Sequence, residues 1–129
     1  MPMILVVDDT ALAREAVSRL LEFEGFTTIR ASNGKEAYAT LYSQRPDLVL
    51  LDLMMPEMDG ITFIRMVRCH PQWETIPVIV LTGLRDDNQL VARAKELGIT
   101  DLLCKATFGF EDLLTRIRRA ISAQNSSPN

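Results

Sequence analysis

Strand-like runs in this chain end on residues that can do chemistry. Met3–Asp8 (MILVVD) leads into Asp9, Asp47–Asp52 (DLVLLD) ends on Asp52, Val78–Thr82 (VIVLT) ends on Thr82, and Asp101–Cys104 runs into Lys105. Three carboxylates held close together repel one another and cannot all stay ionised unaided. A hard divalent cation removes the conflict, and magnesium suits it because it needs few protein carboxylates and keeps several waters, with manganese an allowed substitute. Asp9 and Asp52 are expected to bind the ion directly with the backbone carbonyl of Met54, and Asp8 through a bound water. Asp52 is then a carboxylate nucleophile able to form an acyl phosphate. The ion and Lys105 would offset charge on the phosphoryl oxygens, and the Thr82 hydroxyl would donate to one of them. Gly83 leaves room for the incoming group.

These residues meet only if the elements between them form a parallel sheet. Each apolar run is followed by a helical pattern. Thr10–Glu24 places Ala13, Val17, Leu20 and Leu21 on one face and closes at Gly25, and Asn33 with Glu36 makes a capping box for a helix ending before Pro46. Gly60–His70 carries Phe63, Ile64 and Val67 inward, and Asp86–Leu97 closes at Gly98. The last helix has the stripe Phe110, Leu113, Leu114, Ile117 and Ile121. With Thr27–Ala31 as a fifth strand, strand–helix alternation predicts an α/β domain, a parallel sheet with helices on both faces and right-handed crossovers. In such sheets function gathers beyond the carboxyl ends of the strands. Residues 1–122 read as one domain and Ala123–Asn129 as a polar tail or linker stub.

Composition narrows the function. Of 129 residues 47% are apolar and 24% charged, ordinary for a soluble globular domain. A net charge of −3 argues against broad nucleic-acid binding, which needs a basic face. No apolar run approaches the roughly 20 residues that cross a bilayer, and no secretory signal opens the chain, so no membrane role and a cytoplasmic location are expected. Cys69 and Cys104 have no metal-type spacing and read as reduced, packing thiols.

The motifs Val6-Val7-Asp8-Asp9, Pro46 to Asp52, Met55-Pro56-Glu57-Met58-Asp59-Gly60, Leu81-Thr82 and Lys105 follow in an order and spacing that together are highly specific. Over essentially its whole length the chain resembles the response-regulator receiver domains of two-component signalling. The resemblance implies a flavodoxin-like, doubly wound fold of five strands in order 2-1-3-4-5 with five helices. It also implies Asp52 as phosphoacceptor, Asp8 and Asp9 as metal carboxylates, Thr82 as switch hydroxyl and Lys105 as phosphate partner. A histidine kinase or phosphotransfer protein would supply the phosphoryl group from phosphohistidine. The output would pass to a downstream protein or a fused output domain absent from these residues, and phosphorylation-dependent homodimers are common in the family. Two positions depart from its pattern. Leu102 stands where an aromatic residue usually reports phosphorylation, and Ala106 replaces a proline with a cis bond. A cis bond before a non-proline residue costs about 2.5–4 kcal/mol, so a trans bond or a strained loop is expected. Signalling would then use a smaller packing change at Leu102, or the loop and helix after the fourth strand.

Other readings compete. A flavodoxin-like cofactor binder cradles phosphate after strand one, where Asp8-Asp9 would repel it. An aspartyl-phosphate hydrolase carries a second acid two residues after its nucleophile; here that residue is Met54. Met54 and the apolar Leu84 instead suggest slow self-dephosphorylation, a switch and not an enzyme with turnover. A receiver-like interaction module without phosphorylation stays open because of Leu102 and Ala106. Plainer roles fall to His70 as a surface residue, Trp73 as partly exposed loop packing, and Arg116, Arg118 and Arg119 as a solvated helix face.

Overall fold

A computed structural model describes residues 2–55, 58–85 and 87–125, with residue 125 described by its backbone alone. Five strands alternate with five helices: β1 (Met3–Val7), α1 (Ala11–Phe23), β2 (Thr27–Ala31), α2 (Gly34–Ser43), β3 (Leu48–Leu51), α3 (Gly60–Cys69), β4 (Val78–Thr82), α4 (Gln89–Leu97), β5 (Asp101–Cys104) and α5 (Phe110–Asn125). All four strand pairings are parallel, and the order is β2-β1-β3-β4-β5. This is the expected doubly wound sheet.

The sheet divides two apolar cores, and the two-residue period of a strand decides which side chain enters which. Ile4 and Val6, Leu48 and Leu50, and Ile79 and Leu81 pack with Val17 and Leu21 of α1 and with Leu113, Leu114 and Ile117 of α5. The alternate residues Leu5 and Val7, Val49 and Leu51, and Val78 and Val80 pack with Ala37 and Leu41 of α2, Phe63, Ile64 and Val67 of α3, and Val91 and Ala94 of α4. Strands β3 and β4 are buried along their whole length, as continuous apolar runs require in a sheet covered on both faces.

The capping chemistry is as the side chains suggest. Asn33 accepts the Glu36 N–H (2.8 Å), while Glu36 reaches back to the N–H of Ser32 (2.8 Å), one residue before the cap. Helix α4 starts later than expected, at Gln89, because Asn88 takes the N-cap and accepts the Leu90 N–H (2.8 Å); Asp86 lies outside the described residues, as do Pro56 and Glu57. At the other end α5 continues through Asn125, three residues into the segment read as tail. Among the described residues no helix is long and apolar enough to cross a membrane.

Candidate functional site: an acidic cluster bridged by a lysine

The ladders carry on one residue past the strands, and that residue is in each case a site residue. Asp8 N–H donates to Ala31 O (3.1 Å), Asp52 N–H to Val7 O (3.0 Å) and Lys105 N–H to Thr82 O (2.8 Å). Strand periodicity therefore still governs them. Asp8 follows Ile4 and Val6, Asp52 follows Leu48 and Leu50, and Lys105 follows Leu103, all on the α1–α5 side of the sheet.

Their side chains meet there. Lys105 Nζ lies 2.7 Å from Asp8 Oδ2 and 3.1 Å from Asp52 Oδ2. Asp8 and Asp52 are each only 6% exposed, while Asp9 is exposed. One carboxylate oxygen from each of the three acids lies within 4.8 Å of the others. The second oxygens are held by backbone: Asp8 Oδ1 accepts the Thr10 N–H (2.9 Å) and Asp52 Oδ1 the Met54 N–H (3.2 Å). Asp8 thus tightens the turn into α1 and faces Lys105 at once.

Burial holds the Asp52 carboxyl above the usual carboxylate range, against the hydrogen bond and charge of Lys105 and the Met54 N–H, with Asp8 adding repulsion. For Lys105 burial works downward, but its bonds to Asp8 and Asp52 prevail and hold the ammonium above its ordinary range. The centre is therefore short of positive charge. Three carboxylates face one ammonium, leaving two negative charges over, the charge of one divalent cation.

Thr82 is fully buried at the end of β4, and its Oγ1 accepts the Leu84 N–H (3.3 Å). A side chain at Gly83 would enter open space. Leu84 and Leu102 are partly buried against the core that holds Val80 and Val91. Among the described residues no peptide bond is cis, so Lys105–Ala106 is trans. Beside Asp9 opens a cleft of about 500 Å³ lined by Leu53, Met54, Met55, Asp59 and Leu90, with the Met54 side chain 54% exposed.

Two residues where the loop after β3 enters α3 do more than the motif alone conveyed. Asp59 caps α3 through the Thr62 N–H (2.8 Å). A Cβ at Gly60 would lie 2.6 Å from Leu53 Cα and 2.8 Å from the Asp52 carbonyl oxygen, so only glycine lets α3 start so near the end of β3. An Asp-Gly pair before an apolar helix was the available signal.

Elsewhere several expectations need correction. Cys69 and Cys104 are exposed, because each sits at the end of its element. Trp73 is 2% exposed, edge-on to Tyr38 and Tyr42, and its ring stacks on His70 at 3.9 Å, which leaves His70 half-buried instead of a plain surface residue. Of the arginines read as a solvated helix face, Arg118 and Arg119 are exposed as expected, Arg118 with Glu24 at 3.2 Å, whereas Arg116 is half-buried and engaged by Asp101 and Asp112.

Residues 4–118 match the family model described as the response regulator receiver domain. The chain belongs to that family. This receiver is 40% identical over 115 residues to the response regulator MprA of Mycolicibacterium vanbaalenii, covering 89% of this chain and 48% of that protein. It thus spans about half the length of the curated relatives it matches. A solved receiver domain of a signal transduction histidine kinase from Syntrophus aciditrophicus superimposes with TM-score 0.90 at 35% identity, over 100% of this chain and 96% of that one. The Vibrio cholerae chemotaxis protein CheY4 does so with TM-score 0.84 at 32% identity, over 93% and 98%. The chain is a response regulator receiver domain of two-component signalling, with a flavodoxin-like fold.

Proposed function

We propose that this receiver is a phosphorylation-activated switch in which Asp52 accepts a phosphoryl group from a phosphohistidine of a histidine kinase or phosphotransfer protein. The observation that carries the reading is the bridge of Lys105 to both Asp8 and Asp52 beside a third carboxylate. Charged pairs at this depth are costly to maintain, and such clusters gather at functional sites.

The donor set fits magnesium or manganese: hard carboxylate oxygens from Asp9 and Asp52, the Met54 carbonyl, and Asp8 through water. When bound, the ion would supply charge neutralisation at the phosphoryl oxygens. The chain's own residues do the rest. Asp52 uses a carboxylate oxygen to form a P–O bond as the P–N bond to the donor imidazole breaks. Met54 N–H keeps the Asp52 carboxylate oriented, and the Lys105 ammonium, already 3.1 Å away, offsets charge on the transferred group. The Thr82 hydroxyl, released from the Leu84 N–H, donates to a phosphoryl oxygen. Leu84 and Leu102 pass that rotation to the α4–β5 side, where they already share a core. The signal would leave in the cytoplasm through a downstream protein, a fused output segment or a second copy of the chain.

Acetyl phosphate labelling tests this. Intact mass should show one added phosphoryl group in the wild type with magnesium, and none in Asp52→Asn or in chelator. An unlabelled wild type would leave a phosphorylation-independent interaction module as the reading.

A further inference from the structure

Asp8 is tethered at every polar atom. Its N–H goes to Ala31 O (3.1 Å), its Oδ1 takes the Thr10 N–H (2.9 Å) and its Oδ2 the Lys105 ammonium (2.7 Å). The remaining atom, its carbonyl oxygen, accepts from Arg14 Nη1 at 2.7 Å. That carbonyl belongs to the peptide plane joining Asp8 to Asp9. Among the described residues Asp9 has no hydrogen bond or ion pair of its own, so the fixed plane before it is the restraint on the backbone that carries its exposed carboxylate, an oxygen of which lies within 4.8 Å of the cluster. Arg14 is itself fixed: it lies half-buried in the first turn of α1, where its backbone N–H closes on Thr10 O (2.9 Å). Its charge is also felt by Glu36 at the start of α2.

We propose that Arg14 is a positioning residue for the cation site, holding the Asp8–Asp9 peptide so that Asp9 meets the ion in place. The inference rests on the reading of Asp8, Asp9 and Asp52 as that site. It also makes a prediction opposite in sign to simple electrostatics. A guanidinium beside a dication site repels the dication, so a residue that acted only by charge would weaken binding, and its removal would tighten it. A residue that acts by orientation strengthens binding in spite of its charge, as partners one shell out from a metal commonly do, by about 10–100-fold.

The test is magnesium titration by calorimetry of the unphosphorylated protein as wild type, Arg14→Met, Arg14→Lys and Arg19→Met. Arg14→Met should raise the magnesium Kd about tenfold, at the low end of that range because repulsion is relieved as well. Arg14→Lys, which keeps the charge and one donor able to reach the carbonyl, should fall between wild type and Arg14→Met, and it serves as the test should Arg14→Met fail to fold. Arg19→Met, on an exposed position of the same helix, should bind as wild type does. An unchanged or lower Kd in Arg14→Met, or an unchanged one in Arg14→Lys when that variant stands alone, overturns the proposal. Failure of the underlying reading looks different: wild type itself would then take up no magnesium.

Discussion

Replacing Asp52 should stabilise the metal-free protein. Lys105 attracts the Asp52 carboxylate at 3.1 Å, worth about 5.4 kcal/mol at an effective dielectric constant of about 20. Asp8, within 4.8 Å, repels it by at least about 3.5 kcal/mol on the same footing, and the exposed Asp9, screened almost as in water, by at least about 1 kcal/mol. The Coulomb terms therefore leave at most about 1 kcal/mol of net attraction. What remains is the cost of burying a carboxylate at 6% exposure, several kcal/mol, of which the Met54 N–H offsets roughly 1.5–3 kcal/mol. Asp52→Asn keeps the shape, keeps an acceptor for Met54 and leaves Lys105 paired with Asp8. In chelator at pH 7 it should therefore be more stable than wild type by about 1–2 kcal/mol, or roughly 3–6 °C in Tm for each kcal/mol. Magnesium should erase the advantage, since at ten times its Kd the wild type gains about 1.4 kcal/mol that the variant largely forgoes. The pH dependence has a defined sign. Burial raises the folded-state pKa of Asp52 above its unfolded value, so its contribution is fully present below the unfolded pKa and is lost as pH rises through the folded one. The advantage of Asn should accordingly shrink as the pH falls. Thermal and urea unfolding with and without magnesium measure all of this. A variant no more stable than wild type in chelator, or one that keeps the whole magnesium gain, refutes the reasoning.

Two further outcomes follow from the loop after β3. Gly60→Ala brings a methyl against the Leu53 and Asp52 backbone at 2.6 and 2.8 Å, so it should cost about 1–3 kcal/mol in urea unfolding and slow acetyl phosphate labelling; wild-type values of both would show that the loop relaxes freely. Met54→Asp places an acid at the mouth of the cleft two residues beyond Asp52, and the phosphoryl group should be lost about tenfold faster or more in a radiolabel chase. An unchanged lifetime would mean that Met54 does not limit the attack of water.

Much of this molecule could be read from residue order because strand periodicity and apolar burial rule the middle of the sheet. The runs Leu48–Leu51 and Val78–Thr82 admit few other structures, and the acids and lysine at their ends are placed by the same ladders. Legibility fails where several side chains satisfy the same local need. Before α4, Asp87 and Asn88 are both good caps, and which one wins depends on packing around Leu90 and Val91. The end of α5 is blurred because Ser, Ala, Gln and Asn neither stop a helix nor demand burial. Trp73 sits in a turn without periodicity, so nothing local announces the aromatic group that encloses it. The Arg14 bond to the Asp8 carbonyl was equally hidden, since a helix-surface arginine usually meets solvent.

The rung from Lys105 N–H to Thr82 O has a wider consequence. It ties the backbone that carries the Lys105 ammonium to Thr82 at the end of β4, so the two cannot travel separately along the strand direction. A slip of β5 by one position would withdraw the ammonium by about 3.3 Å and turn it to the other face of the sheet. Four residues at the margin of the fold, Asp101–Cys104, thereby hold Lys105 in alignment with Asp8 and Asp52.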